Sequence, residues 1–426
     1  MGVRVTVHGG NREIGGNKIL VETGDGGVFL DFGKSYTIED QFFEVPWNPP
    51  FHIPSLLSVG ALPDIPGLYR HEPGEHRYAV VVSQPHLDHV GYVPLLSPGT
   101  PVITGVDTKN LVDIRLESMQ TSWDSEIDHL DWQLLRTGGA VELPDSDIKI
   151  IPIHVDHSVP ASYGFIVEAG GMCIAYTGDI RMHGARPDLS EDFLNELRAK
   201  PVDILLCEGT RVRPAEDPDI KFLQDMAANL HLRMGGDIPQ PVQVDCATEH
   251  DVRDALEQTM KDSHGAADPI DAEVYTKGRE KWEQQLVDDW TAHGGDVYWG
   301  LDGRSELRNM AEHYVIVSPS CVGVLPELAY RAHPCDVTFV LSKSEAFNEE
   351  MLISFDRMLH WLRLYGCNEY KVIHVSGHAS PADLQTVVEA ANPNLLVPIH
   401  TRFPELMTPW HDSVRVPEPS GVVDLS

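Results

Sequence analysis

The residues whose types and spacing are most suited to chemistry lie in the stretch 83–91, directly after the apolar run 78–82. Within it, His86, Asp88 and His89 fall inside a span of four residues. Imidazoles and carboxylates bind divalent cations such as Zn²⁺ and Mn²⁺, and a loop that closes a buried strand can hold them in place. The stretch therefore predicts one wall of a metal site, with a surface loop as the alternative in a chain that has 21 histidines.

Four further stretches place an acid or a histidine where an apolar, strand-like run ends. One such residue alone usually caps a helix or forms a turn. Five such stretches, each directly following a strand that is predicted to be buried, favour instead a common site at the carboxyl ends of the strands. The residues added in this way are His157, Asp179, Glu208 and His400.

The elements that must position these residues follow two patterns along the chain. In residues 1–210 and 373–426, short apolar strands end in loops that carry the candidates. In residues 211–372, helical periods alternate with short apolar strands, which is typical of a parallel sheet with crossover helices. We therefore predict an α/β protein in which an inserted α/β domain at 211–372 interrupts a first domain built from both ends of the chain.

The individual elements are predicted from apolar periodicity and turn residues. The first domain is predicted to contain a helix at 108–128, an irregular proline-rich surface segment or lid at 41–73, and strands at 3–7, 18–22, 27–33, 148–153, 163–168, 172–176 and 202–207. The inserted domain is predicted to contain helices at 219–232, 251–261 and 277–293 and strands at 242–244, 297–299, 314–317 and 337–341.

Composition limits the class of protein. A hydrophobic content of 42% is ordinary for a globular chain and argues against disorder. The 6 cysteines form no CxxC pair, so neither a disulfide frame nor a zinc knuckle is indicated. No apolar run approaches the roughly 18 residues that span a bilayer, and the N-terminus lacks the apolar core of a signal peptide. We therefore expect a cytoplasmic protein with no membrane association.

The net charge of −33 is the strongest compositional anomaly. Acids spread along the whole chain indicate a solvating surface of the kind that suits high salt, and such a surface repels polyanions at long range. A nucleic-acid partner would require a locally basic channel or salt that screens the repulsion. The candidate cations near the motif stretches are Arg181, Arg186, Arg211, Arg213 and Lys343.

Taken together, these stretches resemble the metallo-β-lactamase-fold hydrolases of the β-CASP group, and their layout is similar to that of ribonuclease J-type RNA-processing nucleases. The resemblance extends over essentially the whole chain, and its longest and most specific stretch is 374–379. It implies an αββα sandwich with an inserted α/β β-CASP domain. The stretches that carry it are Asp31-Phe32-Gly33, His86-Leu87-Asp88-His89, Val155-Asp156-His157-Ser158, Thr177-Gly178-Asp179, Glu208, His374-Val375-Ser376-Gly377-His378-Ala379 and Pro398-Ile399-His400-Thr401.

The resemblance also implies two adjacent cation sites bridged by Asp179, with Zn²⁺ as the expected metal and Mn²⁺ as the alternative. Two cations about 3.5–4 Å apart can generate hydroxide and stabilise both the attacking and the departing oxygen. Asp31 would orient a ligand histidine from behind. The implied ligands are Gln84, His86 and His157 at the first site and Asp88, His89 and His400 at the second.

Gln84 departs from the pattern, because the resembling family has a histidine there. A glutamine offers a carbonyl oxygen, which is a neutral, harder and weaker ligand than an imidazole nitrogen. We expect this change to weaken the first cation site, either by favouring Mn²⁺ there or by leaving only the second site occupied.

The implied reaction is in-line attack of metal-bound hydroxide on a phosphodiester. In it, His378 would act as general acid or bind the scissile phosphate, and the backbone N–H groups around it would contact the phosphate. A structural role is the alternative for His374. The implied catalytic residues are Asp88, Asp179, Glu208 and His378, and the implied substrate-binding residues are His374, Ser376, Gly377 and Ala379.

The leading prediction of function is a metal-dependent ribonuclease that acts on single-stranded RNA as an exonuclease, an endonuclease or both. A homodimer is left open. Two other functions compete with it. One is a metallo-hydrolase of a small ester or phosphodiester, since one fold hosts many chemistries. The other is an RNA-binding homologue in which the loss of a ligand at Gln84 has impaired catalysis.

Overall fold

The computed structural model divides into two compact units, one formed by Met1–Pro214 with Gly377–Ser426 and the other by Ala215–Ser376. The predicted metal ligands all belong to the first unit. The residues that the structure describes are 2–24, 26–44, 48–74, 77–118, 125–144, 146–217, 221, 240–244, 247–248, 250–252, 254–255, 258, 274–276, 297–299, 339–342, 349–364, 366–418 and 420–423.

The described strands and helices are numbered in chain order. The strands are β1 (Val3–Gly9), β2 (Lys18–Thr23), β3 (Gly26–Leu30), β4 (Tyr78–Val81), β5 (Pro101–Gly105), β6 (Asp131–Leu135), β7 (Val141–Glu142), β8 (Lys149–Val155), β9 (Ser162–Ala169), β10 (Met172–Tyr176), β11 (Ile204–Glu208), β12 (Gln240–Gln243), β13 (Val274–Thr276), β14 (Val297–Trp299), β15 (Val340–Leu341), β16 (Glu369–Val372), β17 (Leu395–Ile399) and β18 (Gly421–Val423). The α-helices are α1 (Tyr36–Phe42), α2 (Ile53–Ser58), α3 (Leu87–Val90), α4 (Val106–Ser118), α5 (Pro187–Ala199), α6 (Glu349–Leu364) and α7 (Pro381–Ala391). Two 3₁₀ helices lie at Val93–Leu95 and Pro404–Trp410.

Two sheets form the centre of the first unit. The first has seven strands in the order β18-β1-β2-β3-β4-β5-β6, and the second has six in the order β17-β11-β10-β9-β8-β7. Strands β3 to β6 run parallel to one another, as do β10, β11 and β17. Because the carboxyl ends of parallel strands meet at one edge of a sheet, the loops after these strands are brought together there.

The core of the first unit has three layers of apolar side chains. Val28 and Leu30 of β3 point into the layer between the sheets, where Phe165 and Leu206 come from the second sheet. Phe29, between them in sequence, points to the opposite face, because successive strand residues alternate. Both faces of β3 are therefore buried, which explains its continuous apolar run.

Helices cover the outer faces of both sheets. The outer face of the first sheet packs against apolar residues such as Leu56 of α2. The outer face of the second sheet packs against Phe193 of α5 and Leu384 of α7. Helix α7 starts with a capping box between Ser380 and Asp383, which fixes where the loop before it ends. The order helix, sheet, sheet, helix confirms the predicted αββα sandwich.

The second unit contains a three-stranded sheet in the order β12-β16-β15 and a separate pair formed by β13 and β14. Each described pairing in this unit is parallel, as the alternation of helices and strands predicts. Met358, Leu359 and Leu362 of α6 form a core with Tyr370. The helices predicted at 219–232, 251–261 and 277–293 and the strand predicted at 314–317 lie wholly or mostly outside the described residues.

Two predictions for the first unit are wrong in detail. The helix predicted at 108–128 is α4, which starts at Val106 and ends at Ser118, and the described residues 125–130 are loop and turn. The segment 41–73 is not wholly irregular, because it contains α2. Pro54 lies in the first turn of α2, where a proline costs no hydrogen bond, and His52 Nδ1 accepts from Ser55 N at 3.0 Å.

A search of the described helices finds none that combines the length and the apolar character needed to cross a bilayer.

Candidate metal centre

Asp31 lies directly behind the candidate centre, at the end of β3. Its backbone has φ of 60°, which turns the carboxylate toward the loop after β4. Oδ1 accepts from Ser83 N at 2.6 Å, and Oδ2 accepts from Ser83 Oγ at 2.7 Å and from Tyr176 Oη at 2.5 Å. Oδ2 also lies 2.7 Å from His89 Nδ1. Since a carboxylate only accepts, His89 Nδ1 donates, and its Nε2 faces the centre.

The helix that carries Asp88 and His89 is only four residues long, and neighbouring loops hold its carbonyl groups. Asn17 N donates to Asp88 O at 3.1 Å, and Phe32 N donates to His89 O at 2.8 Å. A Cβ on Gly33 would lie 1.6 Å from Asp88 O, so only glycine permits this close approach. The glycine-rich loop before β2 and the loop after β3 thus fix the position of α3.

Four side chains converge beside α3: Asp88, His89, Asp179 and His400. His89 Nε2 lies 2.9 Å from Asp179 Oδ2, and His400 Nε2 lies 3.3 Å from Asp88 Oδ2. The donor atoms of the four residues all lie within 4.8 Å of one another. Three of the residues are buried, whereas the Asp88 side chain is 20% exposed.

Strand ends and unusual backbone angles bring Asp179 and His400 to this point. Asp179 follows β10 through Gly178, which has φ of 54° and whose Cβ, if present, would lie 2.6 Å from Tyr163 O. His400 follows β17 with φ of 51°, and its Nδ1 lies 2.8 Å from Thr210 Oγ1. That contact directs His400 Nε2 toward the carboxylates.

The charges of the four residues are strongly coupled. Burial opposes ionisation of Asp88 and Asp179, but the nearby imidazoles outweigh it and lower both pKa values. Burial likewise opposes protonation of His89 and His400, but the carboxylates outweigh it and raise both pKa values. The cluster therefore stabilises positive charge between its carboxylates, as a cation site must.

A second group of candidate ligands shares Asp179 and adds His157 and His378. His157 Nε2 lies 3.8 Å from Asp179 Oδ2, and His157 Nδ1 donates to Gly377 O at 2.6 Å. Burial lowers the pKa of His157 well below its ordinary value, and the charge of His378 lowers it further. A neutral imidazole with one nitrogen fixed in this way is typical of a metal ligand.

Gln84 and His86 complete the predicted ligand set but differ from the others. Gln84 is fully buried, and its Nε2 donates to Asp179 Oδ2 at 2.5 Å. His86 is half-buried, and its ring centroid lies 5.3 Å from that of His157. His86 is not part of the two groups of close histidine and carboxylate ligand atoms found among the described residues.

His378 and Glu208 form a pair at the edge of the centre. His378 Nδ1 lies 3.1 Å from Glu208 Oε2, and Glu208 also accepts from Ile180 N at 2.9 Å and Thr210 N at 3.2 Å. Burial opposes protonation of His378, but Glu208 and Asp179 outweigh it and raise its pKa to about 9. Glu208 is fully buried behind the imidazole, so any catalytic role of this acid must act through His378.

The predicted substrate-binding stretch divides between different positions. His374 and Ser376 are half-buried in the second unit, after β16. Gly377 lies against His157, and a Cβ there would be 2.6 Å from Ser158 Cβ. The prediction that the Ala379 amide contacts phosphate is wrong, because Ala379 is fully buried and its N–H donates to Ile180 O at 2.6 Å.

Two of the five predicted cations pair with other acids, and Arg211 Nη1 lies 3.5 Å from His378 O. Arg181 is buried and pairs with Asp156, with Nε 3.3 Å from Oδ1. Arg186 is exposed and pairs with Asp188 at 2.6 Å. Arg211 and Arg213 are exposed, and Lys343 lies outside the described residues.

Sequence reasoning missed the residues that support the ligands, namely Ser83, Tyr176 and Thr210. Tyr176 ends a predicted strand, and its hydroxyl both donates to Asp31 and accepts from Asn17 Nδ2 at 2.9 Å. A tyrosine in an apolar strand usually signals only packing, so the available hint was its position just before Thr177-Gly178-Asp179.

The donor set of the centre fits a divalent cation. Asp88, His89, Asp179 and His400 supply two imidazole nitrogens and two carboxylates, a combination that suits Zn²⁺ and Mn²⁺. Asp179 Oδ1 is buried and has no hydrogen-bond partner among the described residues, which a cation would remedy. We therefore treat these four residues as the best-formed cation site.

Comparison with known proteins agrees with this geometry. Residues 54–242 match the family model described as "Beta-lactamase superfamily domain". The chain is 23% identical to ribonuclease J of Pyrococcus abyssi, with 94% of this chain and 90% of that protein covered. It is 21% identical to ribonuclease J of Helicobacter pylori, again over 94% of this chain but over only 56% of that longer protein.

A relative that matches over a shorter stretch and a solved structure extend the comparison. The chain is 26% identical to RNase aCSPSF2 of Saccharolobus solfataricus over 41% of its length and 32% of that protein. A protein of unknown function from Enterococcus faecalis has the same fold, with a TM-score of 0.64, 20% identity and 99% of each chain covered. These likenesses confirm the predicted fold class.

Proposed function

We propose that this chain, a metallo-β-lactamase-fold hydrolase of the β-CASP group that resembles ribonuclease J, hydrolyses phosphodiester bonds of single-stranded RNA with a divalent cation. The observation that carries the proposal is the cluster of Asp88, His89, Asp179 and His400 beside the His378–Glu208 pair. The names of the relatives support RNA as the substrate.

The residues divide the work of hydrolysis. When bound, the cation lowers the pKa of water and stabilises charge on the phosphate oxygens. The four ligands hold it, and Asp31 keeps His89 in the tautomer that binds through Nε2. Water oxygen forms the new bond to phosphorus while the bond to the departing oxygen breaks. Each added water thus gives one phosphomonoester and one hydroxyl.

His378 is suited to protonate the departing oxygen. Its Nδ1 faces Glu208, so its Nε2 is the nitrogen that can donate to a substrate. The side chain is 21% exposed, which lets the ring reach a bound phosphodiester while Glu208 remains at 0%. Glu208 positions the ring and stabilises its charged form, in the way a carboxylate supports a general acid.

For the cation we propose Zn²⁺, with Mn²⁺ as the alternative. Two imidazoles favour Zn²⁺, whereas two carboxylates are also compatible with Mn²⁺. Elemental analysis of protein purified without added metal distinguishes them, and predominant Mn²⁺ would reverse the preference.

One observation favours a second candidate, a metallo-hydrolase of a small ester or phosphodiester. The net charge of −33 repels a long polyanion, whereas a small substrate carries little charge to repel. The exonuclease, endonuclease and homodimer predictions remain predictions.

The experiment that tests the function compares two substrates. Labelled single-stranded RNA and bis(p-nitrophenyl) phosphate are incubated with the protein and Zn²⁺ or Mn²⁺, beside a His400→Ala variant that loses a ligand. A matched control is His71→Ala, on an exposed histidine. We expect RNA cleavage in the wild type and His71→Ala and none in His400→Ala.

The other outcomes contradict the proposal in different ways. Hydrolysis of the small substrate alone would support the second candidate. RNA binding without cleavage of either substrate would indicate a chain that has kept the fold and lost catalysis.

A further inference from the structure

Gln84 occupies the point where the two groups of ligands meet at Asp179. Its Nε2 donates to Asp179 Oδ2 at 2.5 Å, and His89 Nε2 and His157 Nε2 lie 2.9 and 3.8 Å from the same oxygen. His400 Nε2 instead lies 3.7 Å from the other oxygen, Oδ1, which has no hydrogen-bond partner among the described residues. The two carboxylate oxygens of Asp179 therefore have different surroundings: Oδ2 already accepts a hydrogen bond and Oδ1, within the described part of the chain, does not.

The orientation of the Gln84 amide follows from its partner. A carboxylate accepts and cannot donate, so Gln84 must turn its NH₂ group toward Asp179 and its oxygen away. The buried Oε1 then has no hydrogen-bond partner in the described part of the chain. For Oε1 to become a metal ligand, the amide would have to turn around and give up the bond to Asp179, which exchanges the unsatisfied acceptor for an unsatisfied donor.

This orientation affects the two cation positions differently. On the side of His86 and His157, the hydrogen of the Gln84 amide occupies Asp179 Oδ2 and carries partial positive charge, which repels a cation. Oδ1, the oxygen beside His400, stays available, and Asp88, His89, Asp179 and His400 all converge at the second position. The second position therefore keeps four ligands, whereas the first has to share Asp179 Oδ2 with the Gln84 amide and gains no ligand atom from Gln84.

We propose that the chain holds one divalent cation tightly, at Asp88, His89, Asp179 and His400, and that the Gln84 amide leaves the position beside His86 and His157 weakly binding. The proposal rests on the proposed function only in that the centre binds metal. It makes no use of the nature of the substrate.

Metal stoichiometry tests this inference directly. The protein is loaded with Zn²⁺, dialysed against metal-free buffer without chelator, and measured by native mass spectrometry and elemental analysis. We expect one Zn²⁺ per chain in the wild type and two in Gln84→His, which replaces the amide by an imidazole. Gln133→His adds a histidine at an exposed strand position and should remain at one.

Two single-ligand variants assign the retained ion. His400→Ala should hold none, whereas His157→Ala should still hold one. Two retained ions in the wild type would overturn the proposal, as would one ion in Gln84→His or loss of the ion in His157→Ala. The wild-type count needs no variant to fold.

The RNA cleavage assay keeps the two proposals distinct. A chain that holds one ion and leaves RNA intact would uphold this inference and contradict the proposed function. A chain that holds two ions and cleaves RNA would contradict this inference and uphold the proposed function.

Discussion

Asp31 accepts hydrogen bonds from Ser83, Tyr176 and His89, and through the last of these it sets which nitrogen of His89 faces the centre. We predict that Asp31→Asn weakens Zn²⁺ affinity by about 10–100-fold, because the amide no longer holds His89 through an anionic acceptor. Competition with a chromophoric chelator measures the dissociation constant.

Asp64→Asn is the matched control, since Asp64 is exposed. The Zn²⁺ affinity of the Asp64→Asn variant should equal that of the wild type. An Asp31→Asn variant that folds and binds Zn²⁺ with wild-type affinity would show that the Asp31 contact does not orient the ligand.

His378 is the residue to which we assign protonation of the departing oxygen. We predict that His378→Gln slows RNA cleavage by about 10²–10⁴-fold, the usual contribution of a general acid, and leaves the tightly held cation in place. Single-turnover kinetics and elemental analysis measure the two effects separately. Loss of the ion together with activity would instead make His378 a metal ligand, as its place in the second ligand group permits.

At the scale of elements, Gly33 determines how closely the loop after β3 approaches α3. A Cβ there would lie 1.6 Å from Asp88 O, whereas a Cβ on Gly26 of β3 would lie 3.4 Å from Arg77 O, an ordinary contact. We predict that Gly33→Ala destabilises the fold by about 1–3 kcal/mol and lowers metal affinity, because α3 must move. Gly26→Ala should leave both the stability of the fold and the metal affinity unchanged.

Urea denaturation and Zn²⁺ titration of both variants measure these effects. Wild-type affinity in Gly33→Ala would mean that the centre tolerates movement of α3, contrary to this account.

The loop before β2 depends on Lys18, which is buried at 1% exposure. Its Nζ donates to Gly16 O at 2.6 Å and to Gly33 O at 2.9 Å, joining the two loops that hold α3. Burial lowers the pKa of Lys18 from 10.5 to about 8, against the opposing charges of Glu13 and Glu39.

We predict that Lys18→Met is less stable than the wild type by about 1–3 kcal/mol at pH 7, since two buried carbonyls lose their donor. Between pH 8 and 10.5 the folded wild type releases the Lys18 proton before the unfolded chain does. The unfolded chain then binds more protons, so the stability of the wild type relative to the variant grows as pH rises through this window. Urea denaturation at pH 7 and pH 10 tests it, and a constant difference would contradict the shifted pKa.

The extent to which the sequence predicts the centre differs between its parts. His86, Asp88, His89, His157, Asp179 and His400 are found by their place after apolar strands, because parallel strands bring their ends to one edge. The Gln84–Asp179 contact and the engaged Ala379 amide are not predictable, since both depend on partners about a hundred or more residues away. Helix α2 was missed because Pro54 resembles a helix breaker except in a first turn.

At the scale of the whole molecule, 65 acidic residues stand against 32 basic ones. Their mutual repulsion destabilises the compact state, and salt screens it, with a Debye length that falls from about 10 Å at 0.1 M to about 3 Å at 1 M. We predict that the urea midpoint rises steadily as KCl increases over this range. If screening is the cause, tetramethylammonium chloride should raise the urea midpoint as KCl does. A urea midpoint that does not change with salt concentration would contradict the prediction.

The central claim is that a divalent cation held by this centre is required for RNA cleavage. The most direct test treats the protein with chelator, removes the chelator, and adds Zn²⁺ back in steps while bound metal and cleavage of labelled single-stranded RNA are measured on the same samples. We predict no cleavage without metal and a rate that rises in proportion to bound Zn²⁺. Full cleavage by the metal-free protein, or none by the fully loaded protein, would contradict the claim.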